Sequence, residues 1–143
     1  MASAQWQDSV ASPMPLRIAS PSFSTATGSD ELAHLLHRDV VSVAVTPLVE
    51  AVGATFSVSD AVLWGNVASA IAGAAKLISR ARPDRATATD AVVDVLLSED
   101  ELAGKGFFTA ATPPQRIFTR STCCLFYRIP QAGTCGDCVL NTR

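Results

Sequence analysis

All four cysteines of this chain fall between Cys123 and Cys138, in the order Cys-Cys-x10-Cys-x2-Cys. Such crowding calls for a reason, because free cysteines used only as small apolar residues have no need to gather. A Cys-x-x-Cys turn lets two thiolates converge on one metal, and Gly136 inside it and Gly133 before it relax the backbone for that purpose. Thiolates are soft ligands that suit zinc or iron–sulfur clusters and disfavour magnesium and calcium. Tetrahedral zinc sites usually take two spaced pairs. Here the first pair, Cys123-Cys124, is adjacent, and neighbouring residues of an extended chain point to opposite sides. Two adjacent thiolates therefore fit a wider two-iron cluster better than one small ion. Zinc stays open at this point, as do a redox-active Cys135–Cys138 dithiol and plain core cysteines. No thioredoxin-like βαβ pattern surrounds the dithiol.

The chain's 143 residues suit one small domain. Hydrophobic residues at 48% and charged residues at 17% provide for a packed core, while aromatics at 6% favour closely packed helices over an aromatic-rich sandwich. The expected fold class is mainly α: a small helical domain followed by an irregular, short-β, cysteine-rich segment. The net charge of −2 is unevenly spread. Residues 1–104 carry six basic and twelve acidic groups, whereas residues 105–143 carry five basic groups against the single Asp137. The cysteine-bearing end is a positive pole on an acidic body.

Three stretches follow from the pattern along the chain. Residues 1–28, rich in Ser, Thr and Pro without apolar periodicity, read as a flexible tail with Trp6 an exposed aromatic. Residues 29–106 read as the helical scaffold. Ser29 offers an N-cap, and Leu32, Leu35, Leu36, Val40 and Val43 predict a helix from about Asp30 to Val45, with a second segment, Pro47–Val52, that stops at Gly53. Ser57 or Ser59 caps a longer helix from Ala61 to about Arg80. Its apolar positions cover so much of the circumference that burial on more than one side is expected. Gly65 and Gly73 in its interior predict close approach of another backbone. Thr87 or Thr89 starts a last helix with Ala91, Val92, Val95 and Leu96 inward. Residues 107–143 form the third stretch, with short strands expected at Arg116–Thr119 and Leu125–Ile129.

The amino terminus lacks the basic and apolar regions of a secretory signal. The apolar stretch around Val67–Ile78 is interrupted by Ser69 and Lys76, short of a membrane span. A cytoplasmic protein without membrane or nucleic-acid partners is the expectation, and reduced thiols in that compartment favour metal binding over disulfides.

The run from Arg120 through Cys123-Cys124-Leu125-Phe126-Tyr127-Arg128-Ile129-Pro130, followed by Gly133-Thr134-Cys135-Gly136-Asp137-Cys138-Val139-Leu140, resembles the carboxy-terminal signature of the FhuF-type ferric siderophore reductases. Leu63-Trp64-Gly65-Asn66-Val67-Ala68-Ser69 is similar to the helix that precedes that signature. The resemblance implies a mostly helical protein with a [2Fe–2S] cluster bound by Cys123, Cys124, Cys135 and Cys138. It also implies one-electron reduction of Fe3+ in a hydroxamate-type siderophore complex, with a ferredoxin-like or other low-potential electron donor. Typical members have a longer amino-terminal part, so a stand-alone [2Fe–2S] electron-transfer or regulatory module is the alternative, with a zinc-stabilised interaction domain as the third. No catalytic residue is assigned by the resemblance.

Around that site, Arg116, Arg120 and Arg128 lie close in sequence to the cysteines, where positive charge would raise a cluster's potential or dock an anionic partner. Each is nevertheless read first as solvated surface, with Arg120 the one to test. Trp64 reads as a core anchor. Asn66, amid apolar neighbours, needs a hydrogen-bond partner, and the cysteine loop is one candidate. His34 and His37, three apart, read as surface histidines in preference to metal ligands.

Overall fold

The computed structural model describes strands at residues 4–6 and 16–18 and then residues 23–109 and 116–142. Within the stretch expected to be a tail, β1 (Ala4–Trp6) pairs antiparallel with β2 (Leu16–Ile18), so part of it forms a two-stranded ladder. The remainder of residues 1–22 lies outside the described residues.

The first long helix is unbroken from Ser29 to Phe56 and changes pitch twice. It opens as α1 (Ser29–Leu36), widens into a π-helical stretch at His37–Val45, and tightens again as α2 (Thr46–Phe56). Sequence periodicity places a break before Pro47; the structure keeps the helix going instead. Proline lacks an N–H and its ring crowds the carbonyl one turn back, and a π turn relieves both by shifting bonds to i→i+5. Thr46 donates both its N–H and its hydroxyl to the Val41 carbonyl in that register. The widened turns also shift the inward line to Ala33, Val41 and Val49, leaving Leu32, Val40 and Val43 exposed where they were expected inside. At the start of α1 the N-cap residue is Gly28 in place of the expected Ser29, with no side-chain cap bond, while the Glu31 carboxylate reaches back to accept the Thr27 N–H and hydroxyl at 2.8 and 2.9 Å. Termination falls at Ser57, in the left-handed region at φ 50°, and not at Gly53.

Helix α3 (Asp60–Ala81) begins after Ser59 as expected. Only one stripe of it is buried, formed by Trp64, Gly65, Ala68, Ala72 and Ala75, whereas Leu77 is 66% exposed. Burial on several sides is thus corrected to burial on one. A 3-10 turn, Pro83–Arg85, leads straight into α4 (Ala86–Leu96), which starts ahead of Thr87 because the turn already supplies helical geometry. Val92, Val93 and Leu96 face inward. By length and composition alone, Ser29–Phe56 and α3 are each apolar enough to cross a membrane, beyond what the interrupted Val67–Ile78 stretch indicated. The buried stripe of α3 is occupied by the protein's own core.

That core joins Ala33, Val41, Val49, Trp64, Ala68, Ala72, Val92, Leu96, Leu102 and Phe118. Phe118 belongs to β4 (Phe118–Arg120), which pairs antiparallel with β3 (Gly106–Phe108) in the register Gly106↔Arg120 and Phe108↔Phe118. The two facing rings meet edge to face, with centroids 5.4 Å apart. The second expected strand, Leu125–Ile129, is instead a 3-10 turn at Phe126–Arg128, because Leu125 takes a left-handed φ of 64° that an extended strand cannot contain.

Candidate metal centre

The cysteine segment is fastened to α3 by polar side-chain contacts that crowd Gly65. A β-carbon at Gly65 would fall 2.4 Å from the Thr122 hydroxyl and 3.0 Å from an Arg120 guanidinium nitrogen. The missing side chain leaves room for the Thr122 and Arg120 side chains, where the sequence predicted another backbone. Gly73 meets nothing within 4 Å and serves no such purpose. Thr122 donates its hydroxyl to the Ala61 carbonyl at 3.0 Å, and the Ser69 hydroxyl hydrogen-bonds the Asp137 carboxylate. The Arg120 N–H donates to the Asp137 carbonyl at 3.0 Å, tying the start of the segment to its Cys-x-x-Cys turn.

Arg120 itself is buried, 3% exposed, which overturns its reading as solvated surface. Its guanidinium donates to Asn66 Oδ1 at 2.5 Å and to the Val62 carbonyl at 3.3 Å. Asn66 thus finds its partner at the head of the cysteine segment. Arg116 is spent elsewhere: it chelates Asp94 at 2.5 and 3.1 Å and lies over the Phe108 ring at 4.0 Å. Arg128 is exposed, near Tyr127 and Cys123.

The sulfurs of Cys124 and Cys135 stand 3.3 Å apart. Two thiolates on one metal with 2.3 Å bonds lie about 3.8 Å apart, so this pair is close to the edge of a coordination polyhedron. Cys138 is buried and its N–H donates to the Cys135 carbonyl at 3.2 Å. Cys123 accepts the Leu125 N–H at 3.4 Å. Asn141 braces the turn by donating to the Cys135 carbonyl at 3.1 Å while accepting from Thr134 at 2.9 Å. Gly133 enters it at φ +71°, whereas Gly136 needs no left-handed angle. Among the described residues no three of the four sulfurs lie within 4.8 Å of one another.

Electrostatics separate the paired thiols. Burial raises the Cys124 thiol, but the Phe126 N–H, the Cys135 thiol and the Arg120 charge outweigh it and hold Cys124 below the usual thiol range. Burial, the bond to Cys124 and the Asp137 carboxylate push Cys135 up to about 12. Of the two, Cys124 is the thiol more readily ionised. A metal would replace the thiol protons.

His34 lies at the surface as expected, whereas His37 is largely covered. His34 Nδ1 lies 2.5 Å from Glu99, and His37 Nε2 lies 3.4 Å from Glu101 and 3.6 Å from Asp100, so α1 and the π-helical stretch after it meet the Glu99-Asp100-Glu101 corner. Sequence reasoning missed this contact, although the acidic run after α4 was its signal.

Residues 120–140 match the family described as the FhuF 2Fe-2S C-terminal domain. Among curated proteins and among solved structures, none matches. The match begins at Arg120 and takes in all four cysteines and the Asp137 and Leu125 positions described above. Residues 120–140 are accordingly similar to the FhuF domain, and the cofactor is a [2Fe–2S] cluster.

Proposed function

We propose that Cys123, Cys124, Cys135 and Cys138 are the four cluster ligands and that this iron–sulfur module reduces Fe3+ held by a siderophore of the hydroxamate type. The observation that supports this reading best is the Cys124–Cys135 sulfur pair, brought to 3.3 Å inside the segment that matches the FhuF domain. When bound, the cluster supplies single electrons, which suits the release of iron, because hard hydroxamate oxygens hold Fe3+ far more tightly than Fe2+. The chain's own residues do the rest. Asn141, Thr134 and Gly133 fix the turn that presents Cys135 and Cys138. Arg120 places positive charge beside Cys124. Leu125, Phe126, Tyr127 and Ile129 form an exposed apolar rim where a ferric complex or a ferredoxin-like donor would dock. The reaction is placed in the cytoplasm, where thiols stay reduced.

The family match spans residues 120–140 alone, and this favours one second reading, a stand-alone electron carrier or regulator with the same cluster. An anaerobic ultraviolet–visible spectrum with iron and sulfide analysis is expected to show thiolate-to-iron charge transfer and equal iron and sulfide. Zinc without sulfide would sink the metal assignment. Mixing the dithionite-reduced protein with ferrioxamine and an Fe2+ chelator is then expected to yield the coloured Fe2+ complex. Cluster reoxidation without any Fe2+ signal would leave the carrier reading standing and remove the reductase.

A further inference from the structure

Buried arginines in proteins are ordinarily matched by a carboxylate, because an unpaired interior charge is costly. Arg116 follows that habit, with Asp94 and Asp90 around it. Arg120 does not. Its side-chain partners are the neutral Asn66 amide and the neutral Val62 carbonyl, and its Nε is buried without a hydrogen-bond partner. Ion pairs among the described residues engage Arg38, Arg82, Arg85 and Arg116 but not Arg120. The nearby Asp137 carboxylate is taken by Ser69. Arg120, Asn66, Cys124, Cys135 and Asp137 line one concavity of about 360 Å³. The positive charge is therefore held next to the sulfurs with no carboxylate bonded to the guanidinium; Asp137, on the same concavity, bonds Ser69 and keeps its own charge.

The missing counter-charge has a natural source. A cluster bound by four thiolates is net negative and gains one more negative charge on reduction. A fixed positive neighbour favours the reduced form over the oxidised one and raises the potential. We infer that Arg120, held by the neutral amide of Asn66, is an electrostatic tuning residue that sets the reduction potential of the [2Fe–2S] centre, and that Asn66 serves by positioning the guanidinium without neutralising it. The inference rests on the cluster reading of residues 120–140.

Asn66→Asp tests it, because a carboxylate of the same shape keeps the hydrogen bond to Arg120 and cancels its field. The full chain, reconstituted with iron and sulfide, is titrated anaerobically with redox mediators and followed by visible absorption and electron paramagnetic resonance. At the poise that half-reduces the wild-type cluster, Asn66→Asp is expected to show a reduced-to-oxidised ratio about tenfold lower, which is 59 mV for a one-electron couple. Arg120→Gln is expected to move in the same direction, and Arg120→Lys to stay near the wild type. An Asn66→Asp protein with a full cluster and an unchanged midpoint overturns the inference. If that variant holds no cluster, the pair at position 120 decides, and equal midpoints for Lys and Gln overturn it. Failure of the wild-type chain to bind iron and sulfide would instead defeat the cluster reading, and it would be visible before any potential is measured.

Discussion

The helical body and the cysteine segment are stabilised by different physics. The body is held by apolar burial, with Trp64, Val92, Leu96, Leu102 and Phe118 sharing one core. The segment after Arg120 buries almost nothing apolar: Cys138 is inside, while Leu125, Phe126, Tyr127, Ile129 and Leu140 are between 38% and 54% exposed. Its attachments are polar, made by Arg120, Thr122 and Asp137 to α3. Net hydrogen bonds contribute only about 0.5–1.5 kcal/mol each, so such a segment needs a further source of order. Metal binding is that source, since its free energy becomes folding free energy wherever the apo ligands are not already gathered.

The contrast can be broken most forcefully at the ligands. Serine at Cys123, Cys124, Cys135 or Cys138 is expected to abolish the visible absorption while the far-ultraviolet circular dichroism of the body survives. A Cys123→Ser protein retaining a full-strength cluster while Cys124→Ser loses it would refute the four-ligand assignment. In the body, Leu102→Ala should cost about 2–5 kcal/mol, read as a drop in the midpoint of chemical denaturation, because Leu102 is the largest fully buried side chain. That loss should appear with or without iron.

Two glycines on one helix sharpen the comparison further. Gly65→Ala drives a methyl into Thr122 and Arg120 and should destabilise the joint by about 1–3 kcal/mol. Faster amide hydrogen exchange in residues 120–138 and poorer cluster retention would report it, with little change in α4. Gly73→Ala meets open space and should stabilise α3 by about 0.5–1 kcal/mol through helix propensity. Equal effects at the two positions, measured by thermal melting and exchange together, would show that α3 and the cysteine segment are not joined at Gly65.

Much of the site could be read directly from the chain. The spacing of the cysteines, the signature running from Arg120 and the glycine at position 65 are local facts, and local facts survive in a sequence. The arginines could not be sorted that way. Arg116, Arg120 and Arg128 look alike on paper, yet one pairs with acids of α4, one is buried on a neutral amide, and one stays in water. Helix boundaries fared similarly. The start of α3 after Ser59 was legible from residue type, although Ser59 makes no side-chain cap bond, whereas the continuity through Pro47 depended on a π stretch that no periodicity of 3.6 reveals.

By itself the sequence determined that soft-metal chemistry sits at a positively charged carboxy-terminal end of a helical protein, because ligand type and spacing are written in consecutive residues. Only the tertiary structure decided which charge faces the sulfurs and with what partner. That outcome depends on Asn66 and Arg120, 54 positions apart, meeting across a gap that Gly65 leaves open. Burial then makes the meeting matter, since a charge removed from water keeps its field at short range.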